Sequence, residues 1–319
     1  MGRAGIPFLA IPGGGVHGVA LLNAVQNGWE LARGTLVARR AMLRERPNAI
    51  LTTGGYVSGP VALAARWLRV PILVFLPDIE PAQSVKAVGR WAARIATTVE
   101  DSRQFFPAEK VVVTGYPLGE RITRWTRSTA RKTLGLDETE TVLLVFGGSR
   151  GARSINRALM PHIAELTDLC HILHISGTLD WPEIEAARDR LPEHVKARYQ
   201  AHAYLHEEMG AAMAAADLVV CRAGASVLGE FPYFGLPSIL VPYPHAWRYQ
   251  RVNAAWLEER GAAIVIEDAD LARDIAPTVR DLLAKPERRN AISAAARKLA
   301  RPDAAQKLAE LLQKLGQGG

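Results

Sequence analysis

Short apolar runs of β type recur along this chain, each followed by a stretch with helical patterning: "FLAI", "AILTT", "PILVFL" and "VVVTG", then "VLLVFGG", "HILHIS", "LVVC", "PSILVP" and "AAIVIE". Strands that alternate with helices build βαβ units, and βαβ units build parallel sheets with helices on both faces. The polar, basic segment "YPLGERITRWTRSTARKTLGLD", Tyr116 to Asp137, separates two such series and reads as a linker plus the first helix of a second domain. With 319 residues, 49% of them hydrophobic and 22% charged, the chain can bury two cores of ordinary size. The expectation is an α/β chain of two Rossmann-like, doubly wound parallel-sheet domains. The first covers 1–117 and the second 118–301, with a last helix in 302–319 that packs back on the first.

No apolar run reaches the roughly 18 residues of a membrane span, and the first residues lack the layout of a signal peptide. A cytoplasmic location is therefore expected. Cys170 and Cys221 sit in apolar, strand-like surroundings, where a cysteine is usually a small core residue, so neither a disulfide nor a metal is expected. The formal charge of +7 and pI near 9.6 favour an anionic partner. Nucleic acid, a phosphorylated substrate and an anionic membrane all satisfy that charge. No aromatic platform or recognition helix supports nucleic acid.

In a doubly wound sheet the ligand lies at the carboxyl ends of the strands. Three glycine-rich turns occupy such positions: "GGYVSGP" (Gly54 to Pro60), "FGGSRGARSIN" (Phe146 to Asn156) and "CRAGAS" (Cys221 to Ser226). Each leads from a strand into a helix and leaves backbone N–H groups and a positive helix end to cradle an anion. One such turn alone is more often plain turn chemistry. Three of them, with Ser58, Ser149, Arg150, Arg153 and Ser226 alongside, favour phosphate. "GGSRGA" is not the G-x-G-x-x-G of dinucleotide sites, and no Walker loop is present.

Taken in order along nearly the whole chain, "GGYVSGP", "GGSRGARSIN" and "CRAGASVLGE…GLPSILVPYPHAWRYQRVNA" resemble the MurG-like family of UDP-N-acetylglucosamine:lipid-linked muramyl-pentapeptide N-acetylglucosaminyltransferases. The resemblance implies a GT-B fold, two Rossmann-like domains with the active cleft between them. It implies an inverting transferase that moves N-acetylglucosamine (GlcNAc) from UDP-GlcNAc to the lipid-linked precursor of peptidoglycan. Its partners would be the UDP-sugar, a lipid-linked diphosphate acceptor and the inner face of an anionic membrane, with no cofactor beyond the substrate. In the family, the glutamate matching Glu230 accepts hydrogen bonds from the two ribose hydroxyls. Arg222, Gly224, Ala225 and Ser226 would line the diphosphate, and Gly148, Ser149, Gly151 and Ala152 would hold phosphate. His245, Gln250 and Asn253 match the stretch that contacts the sugar, although Tyr249 replaces one of the family's paired glutamines and loosens the expected selectivity. His245 also reads as a simple loop histidine. Gly54, Gly55, Tyr56, Ser58 and Gly59 would lie on the acceptor side.

The amino-terminal end departs from the pattern. "PGGGVHG" invites an equation of His17 with the family's acceptor-side histidine, but only about forty residues separate it from Gly54. The family places a longer run of elements between its two turns. The expectation is that the family's first βα unit is missing, with its histidine, and that activity is impaired. Inverting transfer needs a base for the acceptor hydroxyl. Asp78, and after it Glu80, in "FLPDIEP" are the candidates, or else they cap the next helix. No Asp-x-Asp pair suits a metal on the diphosphate. Trp29, Trp67 and Trp91, among Arg33, Arg39, Arg40, Arg66, Arg69, Arg90 and Arg94, suit an anionic lipid surface. The same residues also read as core tryptophans beside a solvated face. The other readings are a UDP-sugar-binding protein that is non-catalytic or partner-dependent, a transferase with another lipid acceptor, and a sugar-nucleotide epimerase.

Overall fold

Strands covered on both faces need unbroken apolar runs, and all but one of the runs of this sequence become strands of two all-parallel sheets. A computed structural model describes residues 5–13, 21–148, 151–245 and 248–318. It divides into one unit of Met1–Gly115 with Asp303–Gly319 and a second of Tyr116–Pro302.

In the first unit, β1 (Ile50–Thr52), β2 (Ile72–Leu76), β3 (Arg94–Thr97) and β4 (Val111–Val113) pair in chain order. Every residue of β2 is buried. The helix Ser58–Leu68 crosses from β1 to β2 and lays Ala62, Ala64 and Ala65 inward, small enough for close approach of the helix Leu21–Glu45, which contributes Ala38 and Met42 to the same core. The last helix, Ala304–Gln317, belongs to this unit, where Asn48 Nδ2 donates to Gly316 O at 3.3 Å.

The run "FLAI" is not a strand: no ladder forms within residues 5–13, and Ile6, Phe8 and Leu9 are exposed. Pro7 and Pro12 flank the run and supply no N–H for pairing. The segment instead lies along a helix. A Cβ at Gly34 would come within 2.1 Å of Pro12 O. His17 lies outside the described residues.

The second unit contains β5 (Val142–Phe146), β6 (His171–Ile175), β7 (Tyr199–His202), β8 (Leu218–Cys221), β9 (Ser238–Leu240) and β10 (Ala263–Val265), in the spatial order β10-β9-β8-β5-β6-β7. Neither β3 nor β7 was marked by an apolar run. Within the basic segment that precedes β5, the helix Arg127–Leu134 starts at a capping box: Thr126 Oγ1 accepts from Thr129 N at 3.2 Å, and Thr126 N donates to Thr129 Oγ1 at 3.1 Å. Tyr116 joins this unit because its ring packs where Gly229 has no side chain; a Cβ there would sit 2.6 Å from Tyr116 Cβ.

A polar chain crosses the core beneath β5 and β6. Asn156, buried, donates through Nδ2 to Ser176 O and to Asp180 Oδ2, both at 2.9 Å. Its Oδ1 lies 3.0 Å from His174 Nε2, and His174 Nδ1 lies 2.8 Å from the Tyr199 hydroxyl. The amide orientation makes Nε2 the protonated nitrogen and Nδ1 the acceptor, a neutral imidazole. Burial lowers the His174 pKa from 6.5 to about 4. The unfolded chain therefore binds the extra proton. Stability from this group is full above pH 6.5 and is lost as the pH falls towards 4. The loss should reach about 3 kcal/mol. Urea unfolding of wild type and His174→Gln at a series of pH values between 7 and 4 should give a shallower slope for the variant, with His171 and His202, also lowered by burial, supplying the remainder. Parallel slopes would show that His174 does not titrate in this window.

Candidate active site

The second unit is entered at β5. The chain runs outward through β6 and β7, then returns to β8 on the other side of β5 and continues to β9 and β10. The strand order thus reverses between β5 and β8, and at such a switch point the loops diverge and leave a crevice at the carboxyl edge. The turns after β5 and β8 flank that position.

The turn after β5 is set by its glycines. Gly148 has φ +89° and Gly151 has φ +80°, and Gly151 N donates to Gly148 O at 3.0 Å. A Cβ at Gly147 would lie 2.1 Å from Ala152 N, and one at Gly151 would lie 2.2 Å from Ser176 O, so the turn is wound against the next strand end. Nothing lies within 4 Å of the Cβ position of Gly148. Ser149 and Arg150 lie outside the described residues. Ala152 precedes the helix Arg153–Leu159, and Arg153 Nε donates to Asp180 Oδ1 at 2.8 Å.

After β8, Arg222 turns its guanidinium into the protein. Nη1 meets Asp268 Oδ1 at 2.5 Å, and Nη2 meets Ser154 Oγ at 2.7 Å. Ser154 Oγ also donates to Asp268 Oδ1 at 2.7 Å. Nη1 reaches Val241 O at 3.3 Å, and the group lies over the Tyr243 ring at 5.1 Å. The sequence reading set Arg222 in the lining of the diphosphate-facing turn; in the structure its guanidinium also braces the strand ends. Sequence reasoning missed Ser154 and Asp268, whose only signal was their place just past the carboxyl ends of β5 and β10.

Gly224, Ala225 and Ser226 form the half-buried part of this turn, and their carbonyls start the helix Val227–Phe234: Ser226 O accepts from Gly229 N at 3.0 Å and from Glu230 N at 2.9 Å. Asn253 is fully buried and donates through Nδ2 to Ala223 O at 3.3 Å, which places it under the turn. Glu230 sits one turn into the helix, half-buried. Burial pushes its carboxyl above the usual carboxylate range, and a hydrogen bond with the Ser226 side chain opposes the shift. Gln250 Oε1 accepts from Tyr243 N at 2.9 Å and so pins the loop after β9. His245 is exposed on that loop, edge-on to the Tyr243 ring at 5.5 Å. The structure therefore gathers Gly148, Gly151, Ala152, Arg222, Gly224, Ser226, Glu230, Gln250 and Asn253 on the carboxyl edge of one sheet.

The other expected residues belong to the first unit. After β1, Gly54 and Gly55 take φ +95° and +86°, and Ser58 Oγ donates to Gly55 O at 2.6 Å. A Cβ at Gly54 would meet Val85 Cγ2 at 2.7 Å, whereas Gly55 faces open space. Tyr56 is exposed, and Gly59 lies in the first turn of the following helix beside Leu31. Asp78 and Glu80 lie on the loop after β2, which Thr98 Oγ1 holds by donating to Pro77 O at 2.8 Å and Ser102 Oγ by donating to Ile79 O at 2.9 Å. The next helix, Gln83–Gly89, has Ala82 at its N-cap and no side-chain cap bond. Trp29 and Trp67 are more than 60% exposed, so neither is a core residue, and Trp91 is partly exposed. Arg39 lies over Trp67 at 4.8 Å and Arg66 over Trp91 at 5.9 Å. Among the described residues no helix is long and apolar enough to cross a membrane, and no group of three His, Cys, Asp or Glu residues is placed to hold a metal ion.

Comparison with known proteins supports the same two parts. The glycosyltransferase family 28 N-terminal domain matches residues 1–97, and the family's C-terminal domain matches residues 142–308. A UDP-N-acetylglucosamine--N-acetylmuramyl-(pentapeptide) pyrophosphoryl-undecaprenol N-acetylglucosamine transferase of Roseiflexus sp. (strain RS-1) is 41% identical, over 98% of this chain and 80% of its own length. The transferase of the same name from Desulforudis audaxviator (strain MP104C) is 36% identical, over 99% of this chain and 87% of its own. Among solved structures, Acinetobacter baumannii MurG superposes with a TM-score of 0.71 at 26% identity, covering 95% of this chain and 83% of that one. The UDP-GlcNAc 2-epimerase of Neisseria meningitidis reaches 0.65 at 13% identity, covering 89% and 82%, a likeness of fold alone.

Proposed function

We propose, from the premise that this chain belongs to glycosyltransferase family 28, that it transfers N-acetylglucosamine from UDP-GlcNAc to a lipid-linked muramyl-pentapeptide diphosphate. The observation that carries the reading is the switch point between β5 and β8, where two glycine turns and Glu230 share one sheet edge. Backbone N–H groups of the turns would take the diphosphate and stabilise the departing UDP as the glycosidic bond breaks. The Glu230 carboxylate would accept from both ribose hydroxyls, and Gln250 and His245 would contact the sugar. Asn253 and Arg222 act from beneath by holding the turn and the strand ends.

Glu230→Ala should weaken UDP binding by about 1.5–3 kcal/mol in calorimetry, while 2′,3′-dideoxy-UDP should bind wild type and variant alike. Two hydroxyls donating to a carboxylate favour its ionised form, so the Glu230 pKa, raised in the free protein, falls on binding. UDP affinity should then be full above that raised value and decline as the pH drops through it. Glu230→Gln should lack that component of the decline. Unchanged UDP affinity in Glu230→Ala would remove Glu230 from the site.

For the base, Asp78 is assigned first and Glu80 second, since both sit at the carboxyl end of β2 on a loop that is braced through its backbone. A base is worth roughly a hundred- to ten-thousandfold in rate. Steady-state transfer to a soluble acceptor analogue should fall by that order in Asp78→Asn at unchanged UDP affinity. A loss seen only in Glu80→Gln would move the assignment to Glu80.

The lipid-linked acceptor implies a membrane surface, and the guanidinium-covered, exposed Trp67 and Trp91, with Trp29, supply both charge and interfacial rings. Vesicle sedimentation should show binding that grows with the fraction of anionic lipid and weakens with salt. Equal binding to neutral vesicles would eliminate the electrostatic contribution.

A further inference from the structure

The opposite, amino-terminal edge of the second sheet carries a cavity that the transferase reading does not use. It opens where β8 and β9 begin, at Ala216, Asp217 and Pro237, whereas the glycine turns leave from the other ends of the strands. Its volume is about 360 Å³, within the span of small-molecule sites.

The lining is cationic. Arg127, Arg289 and Arg297 line it together with one carboxylate, Asp217. That carboxylate is already shared: it accepts from Arg127 Nη2 at 2.6 Å, from buried Arg131 Nη2 at 2.9 Å and from Val142 N at 2.8 Å. Neither Arg289 nor Arg297 forms an ion pair with any described residue. Arg289 is held in place by the helix end it covers, with Nη1 donating to Leu282 O and Leu283 O at 2.7 Å. Arg297 is seated by a glycine. A Cβ at Gly235 would lie 2.4 Å from Arg297 Nε, so the side chain crosses the backbone where a glycine leaves room for it. Ser293, on the same helix as Arg297, donates through Oγ to Gly235 O at 2.6 Å and fixes that helix against the turn.

The aromatic residues have their polar ends tied elsewhere: Trp125 Nε1 donates to Arg121 O at 3.2 Å, and the Tyr233 hydroxyl donates to Thr123 O at 3.3 Å. What Trp125 and Tyr233 offer the cavity is therefore carbon surface. We propose that this cavity binds a small organic phosphate, with Arg289 and Arg297 holding the phosphate and Trp125 and Tyr233 covering its apolar part. Guanidinium forks match phosphate oxygens in geometry as well as charge, and two of them without acidic partners beside a shared carboxylate leave the site short of an anion. The volume restricts the occupant to a small molecule.

The test is calorimetric titration of the full chain with phenyl phosphate, with and without saturating UDP. Binding should be present in both conditions and should weaken roughly tenfold or more in Arg297→Glu and in Arg289→Met. UDP affinity in both variants should stay within about twofold of wild type, which shows that they remain folded. Inorganic phosphate should bind several-fold more weakly than phenyl phosphate, since it gains nothing from the rings. Absence of binding at millimolar phenyl phosphate, equal binding by Arg297→Glu, or loss of binding once UDP is added would each overturn the proposal. Equal affinity for inorganic phosphate would overturn the part given to Trp125 and Tyr233.

Discussion

The guanidinium of Arg222 ties together the carboxyl edge of the second sheet. It bonds to Asp268 beyond β10, to Ser154 beyond β5 and to Val241 beyond β9, while its own backbone leaves β8. In an all-parallel sheet every strand delivers its loop to the same edge, and those loops have no ladder to hold them. A planar cation with five donors can hold several such loops at once, which a lysine cannot. Arg131 does the same at the other edge. It is fully buried, and its guanidinium meets the carbonyls of Asp137, Glu138, Glu140 and Ala215 and the carboxylate of Asp217, which also takes Val142 N at the start of β5. Burial lowers the Arg131 pKa, but a guanidinium titrates so high that the group stays charged. Its five partners offset the cost of removing that charge from water.

Much of the fold was legible because buried parallel strands must be apolar without interruption. "ILVFL" and "VLLVF" could hardly be anything but central strands, and they are β2 and β5. β3 and β7 were hidden for the complementary reason. "RIAT" begins on an exposed arginine, and "YQAH" alternates buried with half-exposed residues because β7 is the last strand of its sheet. "FLAI" misled in the other direction. Its composition suits a strand, but a strand also needs N–H groups in register with a neighbour, and Pro7 and Pro12 interrupt that supply.

The candidate site was legible in its backbone and much less so in its side chains. Glycines at Gly148 and Gly151 announce positive φ, and the structure gives them that conformation. Glu230 could be singled out only through a family resemblance, because nothing local to a helical glutamate reports that it will be half-buried. Asp268 and Arg222 are 46 residues apart and meet only because β8, β9 and β10 stack side by side. Such a contact depends on topology, and periodicity carries no trace of it. The loop-holding contacts of Arg222 are invisible in the sequence for the same reason.

The buried chain under the glycine turn gives that turn its shape. Asn156 fixes Ser176 O on one side and Asp180 on the other; Gly151 packs against that same carbonyl, and Asp180 holds Arg153 at the start of the next helix. The polar core therefore positions the backbone N–H groups before any ligand arrives. Preorganisation of this kind matters most for backbone donors, which have no rotamer to adjust and whose direction is set entirely by φ and ψ. It also explains why a neutral His174 is tolerated at the centre of the chain. A charged imidazole would have two donors facing the Asn156 carbonyl and the Tyr199 hydroxyl with neither nitrogen bonded to a carboxylate, whereas the neutral ring satisfies one donor and one acceptor and fixes the Asn156 amide in the single orientation that serves Ser176 and Asp180.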